Sequence, residues 1–500
     1  MNKTFIAGLA AAALFGLPAP QAAHAGEKRH GLKPCRLPGV EHEAWCGVVS
    51  RPFDPSRPLG LQINVHFALL PALARNRKPD PVFFFAGGPG QSAIDLAGPV
   101  SRMLQRLSNR RDLVFIDQRG TGRSAPLRCA DELPARPLAD SATTEALVAR
   151  MAECRRTLQK LPYGDLRHFT TWLAAQDVDA VREVLEVDYI NVIGGSYGSR
   201  AALEYFRQFP KAVRRVVLDG AAPPDMALPT SFSTDNQAAL DAALAACEAD
   251  SRCRARYPAL RTEWQSLLAG LPRTVSVAHP VTGTVERITL TRDSVLGMTR
   301  APLYVPALAA ALPMAISEAA RGRYEPLLGL SLATTSANRS GAIAEGMHFS
   351  VVCAEDLPRL AQSKDVPGAD YGDAFAHLYR QVCAEWPQGK VPNAFYNMPQ
   401  AHSATLVLSG GADPATPPRH AERVVNALGA RARHVVVPQA GHGLLGIACL
   451  RDTVFRFIDA PDDDAALAVE AACAKGLPRP PAFIPVAAGA AAVAGLEGAK

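Results

Sequence analysis

Residues 190–205 constrain this chain more than any other stretch. An apolar run with strand character, Ile190-Asn191-Val192-Ile193, passes directly into Gly194-Gly195-Ser196-Tyr197-Gly198, and Ala201-Ala202-Leu203-Glu204-Tyr205 behind it reads as helix. A strand that becomes a helix within five residues must turn sharply, and the residue at the apex sits in a strained backbone. Glycines at 194 and 198 meet that demand, because a Cβ at either would collide with the neighbouring strand and helix. The side chain left at the apex is the hydroxyl of Ser196, placed as a nucleophile.

Other strand-like runs surround this one: Gln62 to Phe67, Val82 to Phe85, Leu113 to Ile116, Val213 to Leu218, Thr405 to Leu408 and His434 to Val437. Most are continuously apolar rather than alternating, the pattern of a strand buried on both faces of a parallel sheet. Before Ile190, Val178, Val181, Val184 and Leu185 recur at helical spacing and predict a helix over Asp177 to Val187. Helix, strand, turn and helix in succession give an α/β fold. The alternation fails between Asp219 and Ala404, where an Ala/Leu-rich helical pattern holds one short hairpin-like passage near Thr274 to Thr291. The expected organisation is a leader over 1–25, the first part of an α/β core over 26–220, a mainly helical cap over 221–403, the second part of the core over 404–475, and a loose Ala/Gly/Pro-rich tail over 476–500. The sheet is expected to be mostly parallel, with the cap inserted before the strand that bears the catalytic acid.

A serine hydroxyl is a weak nucleophile near neutral pH, so it needs a base, and the base needs an acid to hold its tautomer. Leu406-Val407-Leu408-Ser409-Gly410-Gly411-Ala412-Asp413 is a strand running into a glycine turn that ends in an acid, and Val435-Val436-Val437-Pro438-Gln439-Ala440-Gly441-His442-Gly443 is a strand running into a loop that presents a histidine. Taken alone, Asp413 reads better as a turn former or helix cap, and His442 reads equally well either way. Together the two follow Ser196 in the order Ser, Asp, His, which α/β-hydrolases use. Acyl transfer also needs donors for the developing oxyanion. The backbone N–H of Tyr197 is one candidate; the second comes from Phe85-Ala86-Gly87-Gly88-Pro89-Gly90, with Gly88 the first choice and Gly87 the alternative. Asp117, Arg119 and Arg123, after the next strand, are expected to brace that loop.

Several other chemistries are excluded. The net charge of +6 is spread over 53 basic and 47 acidic residues and offers no concentrated face to nucleic acid. No H-E-x-x-H or C-x-x-C pattern marks a metal site. Gly120-x-Gly122-x-x-Ala125 lacks the helix and the acid that a dinucleotide site needs. No cofactor is expected. Lys3, the apolar Phe5 to Leu17 and Ala23-His24-Ala25 have the form of an export signal, too short to span a bilayer, and no stable membrane insertion is expected. Export would bring the 10 cysteines into an oxidising compartment. Sequence alone does not choose the connectivity; the expected pairing joins sequence neighbours, each pair closing a local loop: Cys35–Cys46, Cys129–Cys154, Cys247–Cys253, Cys353–Cys383 and Cys449–Cys473, with buried free thiols as the other reading.

The set Gly87-Gly88-Pro89-Gly90, Asp117-Gln118-Arg119-Gly120-x-Gly122-Arg123-Ser124, Gly194-Gly195-Ser196-Tyr197-Gly198, Ser409-Gly410-Gly411-Ala412-Asp413-Pro414 and Gly441-His442-Gly443 resembles the secreted tripeptidyl aminopeptidase branch of the prolyl-aminopeptidase-like α/β-hydrolases, serine peptidases with a TAP-like C-terminal region. The similarity runs over roughly residues 45–475. It departs at Ala86, where many relatives carry a histidine that braces the loop. The resemblance implies an exported enzyme that hydrolyses peptides from a free N-terminus; a carboxylesterase or other acyl hydrolase acting on small esters would use the same triad. It also implies that cap carboxylates hold the substrate ammonium, with Glu355, alone or with Asp356, in that role; the other reading makes them solvated acids beside a disulfide.

Overall fold

Strands that are apolar on both sides need cover on both faces, and the helices of this chain divide to provide it. The computed structural model describes residues 31–129, 137–141, 143–336 and 341–485. Its main sheet uses β1 (Lys33–Cys35), β2 (Ala44–Pro52), β3 (Gln62–Leu70), β4 (Val82–Phe85), β5 (Leu113–Ile116), β6 (Ile190–Gly195) and β7 (Val213–Asp219). A separate hairpin of β8 (Arg273–Ala278) and β9 (Val285–Leu290) precedes the last two strands of the sheet, β10 (Thr405–Gly410) and β11 (Ala432–Val437). The nine strands run in the order β1-β2-β3-β5-β4-β6-β7-β10-β11. Every pair from β5 to β11 is parallel, and the first three strands are antiparallel. This is the mostly parallel α/β-hydrolase sheet that the sequence predicts.

Alternate residues of one strand feed two cores. Val192, Val216 and Val407 face the layer that contains the helices Thr171–Val184, Tyr197–Gln208 and Pro418–Leu428. Ile193, Val217, Leu406 and Leu408 face the opposite layer, with the helices Ala97–Met103 and Ala448–Asp459. A third core, around Trp264, Leu244, Leu296 and Ile316, lies within the segment between β7 and β10 and belongs to its helices and the β8–β9 hairpin.

Several expectations need adjusting. β1 and β2 gave no continuous apolar signal because they lie at the sheet edge with mixed exposure. The helix expected over 177–187 begins at Thr171, where Thr170 caps it by accepting the Leu173 N–H, and ends at Val184. The leader over 1–25 lies outside the described residues, as do 486–500 of the tail. The rest of the tail is not loose, since Phe483 donates its N–H to Ala310 and accepts from the Tyr257 hydroxyl. All ten cysteines are paired: Cys35–Cys46, Cys129–Cys154, Cys247–Cys253, Cys353–Cys383 and Cys449–Cys473.

Arg119 does not brace the loop after β4. Its guanidinium grips Asp177 with two hydrogen bonds of 2.7 and 2.9 Å and donates to the carbonyls of Phe53 and His168, while Arg51 adds a third contact to Asp177 at 3.2 Å. Both Arg119 and Asp177 are 1% exposed, so removing one partner strands the other charge in the interior. Asp177→Ala should therefore lower the unfolding free energy by about 3–5 kcal/mol, read from urea denaturation of the oxidised protein.

Candidate active site

Ser196 sits where β6 gives way to the helix Tyr197–Gln208, with φ +56° and ψ −127°, a conformation that L-residues adopt only under constraint. The constraint is visible around it. Its N–H donates to the Asp219 carbonyl at 2.8 Å, and its own carbonyl accepts from the N–H and the hydroxyl of Ser199. A Cβ on Gly198 would fall 2.1 Å from the Phe85 carbonyl oxygen, and one on Gly194 would fall 2.3 Å from the carbonyl of Gly198. The glycines therefore let β4, β6 and the helix approach closely enough to fix the turn.

Asp413 and His442 meet after the two last strands. His442 Nδ1 lies 2.8 Å from Asp413 Oδ2, and the other Asp413 oxygen accepts from the N–H groups of Ala415 and Thr416. The Thr416 hydroxyl donates to Oδ2 at 2.8 Å. Burial works against the Asp413 charge, but His442 and these donors outweigh it and hold the carboxyl below its usual range. Burial likewise opposes a proton on His442; the charge and hydrogen bond of Asp413, with help from Asp219, overcome it and raise the imidazole above its ordinary value. With Nδ1 turned to Asp413, Nε2 is the ring nitrogen that remains. The link to Ser196 runs through Gly220, which follows the acceptor of the Ser196 N–H and approaches His442 so closely that a Cβ there would lie 3.5 Å from Cε1. Asp219 also secures the histidine loop, its carboxylate accepting from the N–H groups of Leu444 and Leu445 at 2.7–2.9 Å.

The loop after β4 lies against Ser196: a Cβ on Gly87 would stand 3.2 Å from that of Ser196. Tyr197, the first residue of its helix, has no acceptor within the helix for its N–H. Asp117 braces the loop as expected, accepting from the Ser92 hydroxyl and the Ile94 N–H on one oxygen and from the Arg123 N–H on the other. The segment between β7 and β10 returns to the same loop, where Ala344 donates to the Gly90 carbonyl and Gln91 Nε2 donates to the Gly341 carbonyl. It also closes over the histidine. The Tyr304 carbonyl accepts the His442 N–H at 2.9 Å, and the two rings meet edge to face with centroids 5.0 Å apart.

Neither reading of Glu355 and Asp356 survives. Their side chains are 0% exposed, so neither is solvated and neither can be touched by a substrate ammonium. Both Asp356 oxygens are held by Arg200 at 3.0–3.1 Å, and one also accepts the Leu228 N–H. Glu355 accepts from the N–H and hydroxyl of Thr171, and that hydroxyl lies 2.5 Å from the Tyr197 phenol. Burial pushes the Glu355 carboxyl up to about 8, against the pull of Arg200. The pair supports the helix behind the nucleophile. Asp219, Thr416 and Tyr304 were not singled out in the sequence. Asp219 had a signal, an acid ending an apolar strand, whereas the others come from segments whose periodicity says only helix or turn.

The chain is similar to known hydrolases. The α/β-hydrolase fold family matches residues 80–275, and the TAP-like protein family matches residues 369–469. Serine protease Hip1 of Mycobacterium tuberculosis is 29% identical over 426 residues, 77% of this chain and 80% of its own. Tripeptidyl aminopeptidase of Streptomyces coelicolor is 25% identical over 461 residues, 84% of this chain and 82% of its own. Carboxylesterase B of M. tuberculosis is 27% identical over 444 residues, 77% and 78% of the two chains.

The raised imidazole sets the pH dependence. Only neutral His442 can take a proton, so kcat/KM should fall as pH drops through a value above the ordinary 6.5. Asp413→Asn should move that limb to lower pH and reduce kcat/KM by about 10³–10⁴-fold, measured on a chromogenic ester across pH 5–9.

Proposed function

Since this chain is a serine hydrolase of the α/β fold with a TAP-like C-terminal region, we propose that it is an exported aminopeptidase that releases short N-terminal peptides or residues through an acyl-enzyme. The observation that carries the catalytic part is the 2.8 Å contact of His442 with Asp413, in a loop tied to the strained turn at Ser196. Ser196 Oγ attacks the carbonyl carbon of the scissile bond while His442 Nε2 takes the hydroxyl proton. Asp413 holds the tautomer and stabilises the imidazolium. The oxyanion takes hydrogen bonds from the N–H groups of Tyr197 and Gly88. His442 then gives its proton to the leaving nitrogen, the amine departs, and water repeats the attack on the ester. The peptidase part is supported by the length of the match to a tripeptidyl aminopeptidase and to serine protease Hip1. The extracytoplasmic location is supported by five disulfides among the described residues.

A second reading, an esterase acting on small acyl substrates, is favoured by the comparable match to carboxylesterase B and by the sealing of Glu355 and Asp356 away from any substrate amine. The two readings separate on initial rates of the purified protein with matched peptide amides carrying free or acetylated N-termini, beside a p-nitrophenyl ester, with Ser196→Ala as the blank. The aminopeptidase reading expects the free amine to be preferred at least about tenfold in kcat/KM. Ester turnover with no amide turnover would replace it by the esterase reading.

A further inference from the structure

Arg300 lies on the helix Arg292–Leu303, one turn before the tyrosine that packs on His442. Its guanidinium rests 4.2 Å from the ring centre of Phe232, 5.5 Å from that of Phe375 and 5.6 Å from that of Tyr304. Among the described residues its one hydrogen bond runs from Nη2 to the Tyr304 hydroxyl at 2.9 Å, and its buried Nε has no partner. Among the described residues it makes no ion pair. The acids near the tyrosines beside it, Tyr304 and Tyr379, are engaged elsewhere: Asp413 with His442, Asp356 with Arg200, Asp235 with Arg419 and His420, and Glu345 with Arg150. Arg300 is close enough to His442 and to His348 to oppose a proton on either. His348 lies against the carbonyl of Pro89 in the loop beside Ser196 and bonds the Tyr379 hydroxyl at 2.7 Å; burial first, and Arg300 next, push it down to about 4, so it adds no charge. The cation thus reaches the histidine loop through Tyr304, on the side covered by the segment before β10, and the residue as a whole is of intermediate exposure.

A guanidinium set on aromatic faces without a counter-ion forgoes the pairing that normally offsets its burial. Its planar fork matches a carboxylate with two parallel hydrogen bonds. We propose that Arg300 is a substrate-binding residue that receives a carboxylate of the molecule being cleaved. Because it stands beside the histidine that protonates the leaving nitrogen, the carboxylate it fits first is the free C-terminus of a short peptide's leaving fragment; an acidic side chain offers the same chemistry. The proposal rests on the peptidase reading for that source of the carboxylate but not for the group itself.

The test uses peptides of four to six residues, each as the free acid, as the C-terminal amide, and as the amide with one internal glutamate. Wild type, Arg300→Gln and Arg300→Lys are compared by the ratio of kcat/KM for acid over amide, a ratio insensitive to general loss of activity. The expected ratio is about tenfold or more in wild type, the scale of one hydrogen bond to a charged group, near one in Arg300→Gln, and intermediate in Arg300→Lys. Preference for the glutamate amide instead keeps the carboxylate site and moves its source to a side chain. A wild-type ratio of one, or equal ratios in wild type and Arg300→Gln, overturns the proposal. If no peptide is cleaved, the peptidase reading fails separately, and calorimetry of the same peptides with Ser196→Ala decides: tighter binding of the acid that Arg300→Gln abolishes in the same background upholds the site, and equal or absent binding of acid and amide overturns it.

Discussion

The close approach of three backbone segments at Ser196 governs the architecture around it. β4, β6 and the helix Tyr197–Gln208 come so near that no side chain fits at 194 or 198, and the serine between them is held in a conformation it would not adopt alone. A turn of this kind persists only when its surroundings over-determine it. Parallel pairing on both sides of β6 and the hydrogen bond from Ser196 to the end of β7 supply that determination. The same strand ends bring in the other candidate residues, because β7 ends in Asp219, β10 leads to Asp413 and β11 leads to His442. Central placement of the strained turn and the gathering of these residues at neighbouring strand ends follow from one strand order.

The helix behind the nucleophile is secured from the other side by buried charge. Arg200 and Asp356 pair inside the protein, and Glu355 reaches the Tyr197 phenol through Thr171. Such a cluster is weak as a source of stability, since desolvation offsets much of its attraction. It does fix direction. Arg200 lies on the elbow helix and Asp356 ends the helix Glu345–Glu355, whose opposite end touches the oxyanion loop through Ala344. One helix therefore contacts the nucleophile's support at one end and the loop beside Ser196 at the other.

Much of this was legible in the sequence, and for stated reasons. Seven strands announced themselves because burial on both faces demands uninterrupted apolar runs, and the elbow because a Gly-x-Ser-x-Gly run stands between a strand and a helix. The edge strands β1 and β2 stayed hidden since they owe their pairing to neighbours rather than to composition. The contacts of Asp413 and His442 follow from chain order and strand ends. The surroundings of Glu355, Asp356 and Arg300 do not, because their meaning depends on what is packed against them, and helical periodicity records only which side faces inward. An acid in a Cys-Ala-Glu-Asp run looks like a surface feature until Arg200 and Thr171 are seen beside it.

The five disulfides close loops with sequence separations between 6 and 30 residues, and in every case a cysteine is joined to the next one along the chain. As the polypeptide emerges from its N-terminus, each odd-numbered thiol waits only for the following one, and no cysteine must be held in reserve while another pair forms across it. An oxidase that joins thiols in order of appearance makes the native set without reshuffling. Covalent closure can thus keep step with synthesis, leaving the later assembly of the nine-stranded sheet free of wrong cross-links to undo.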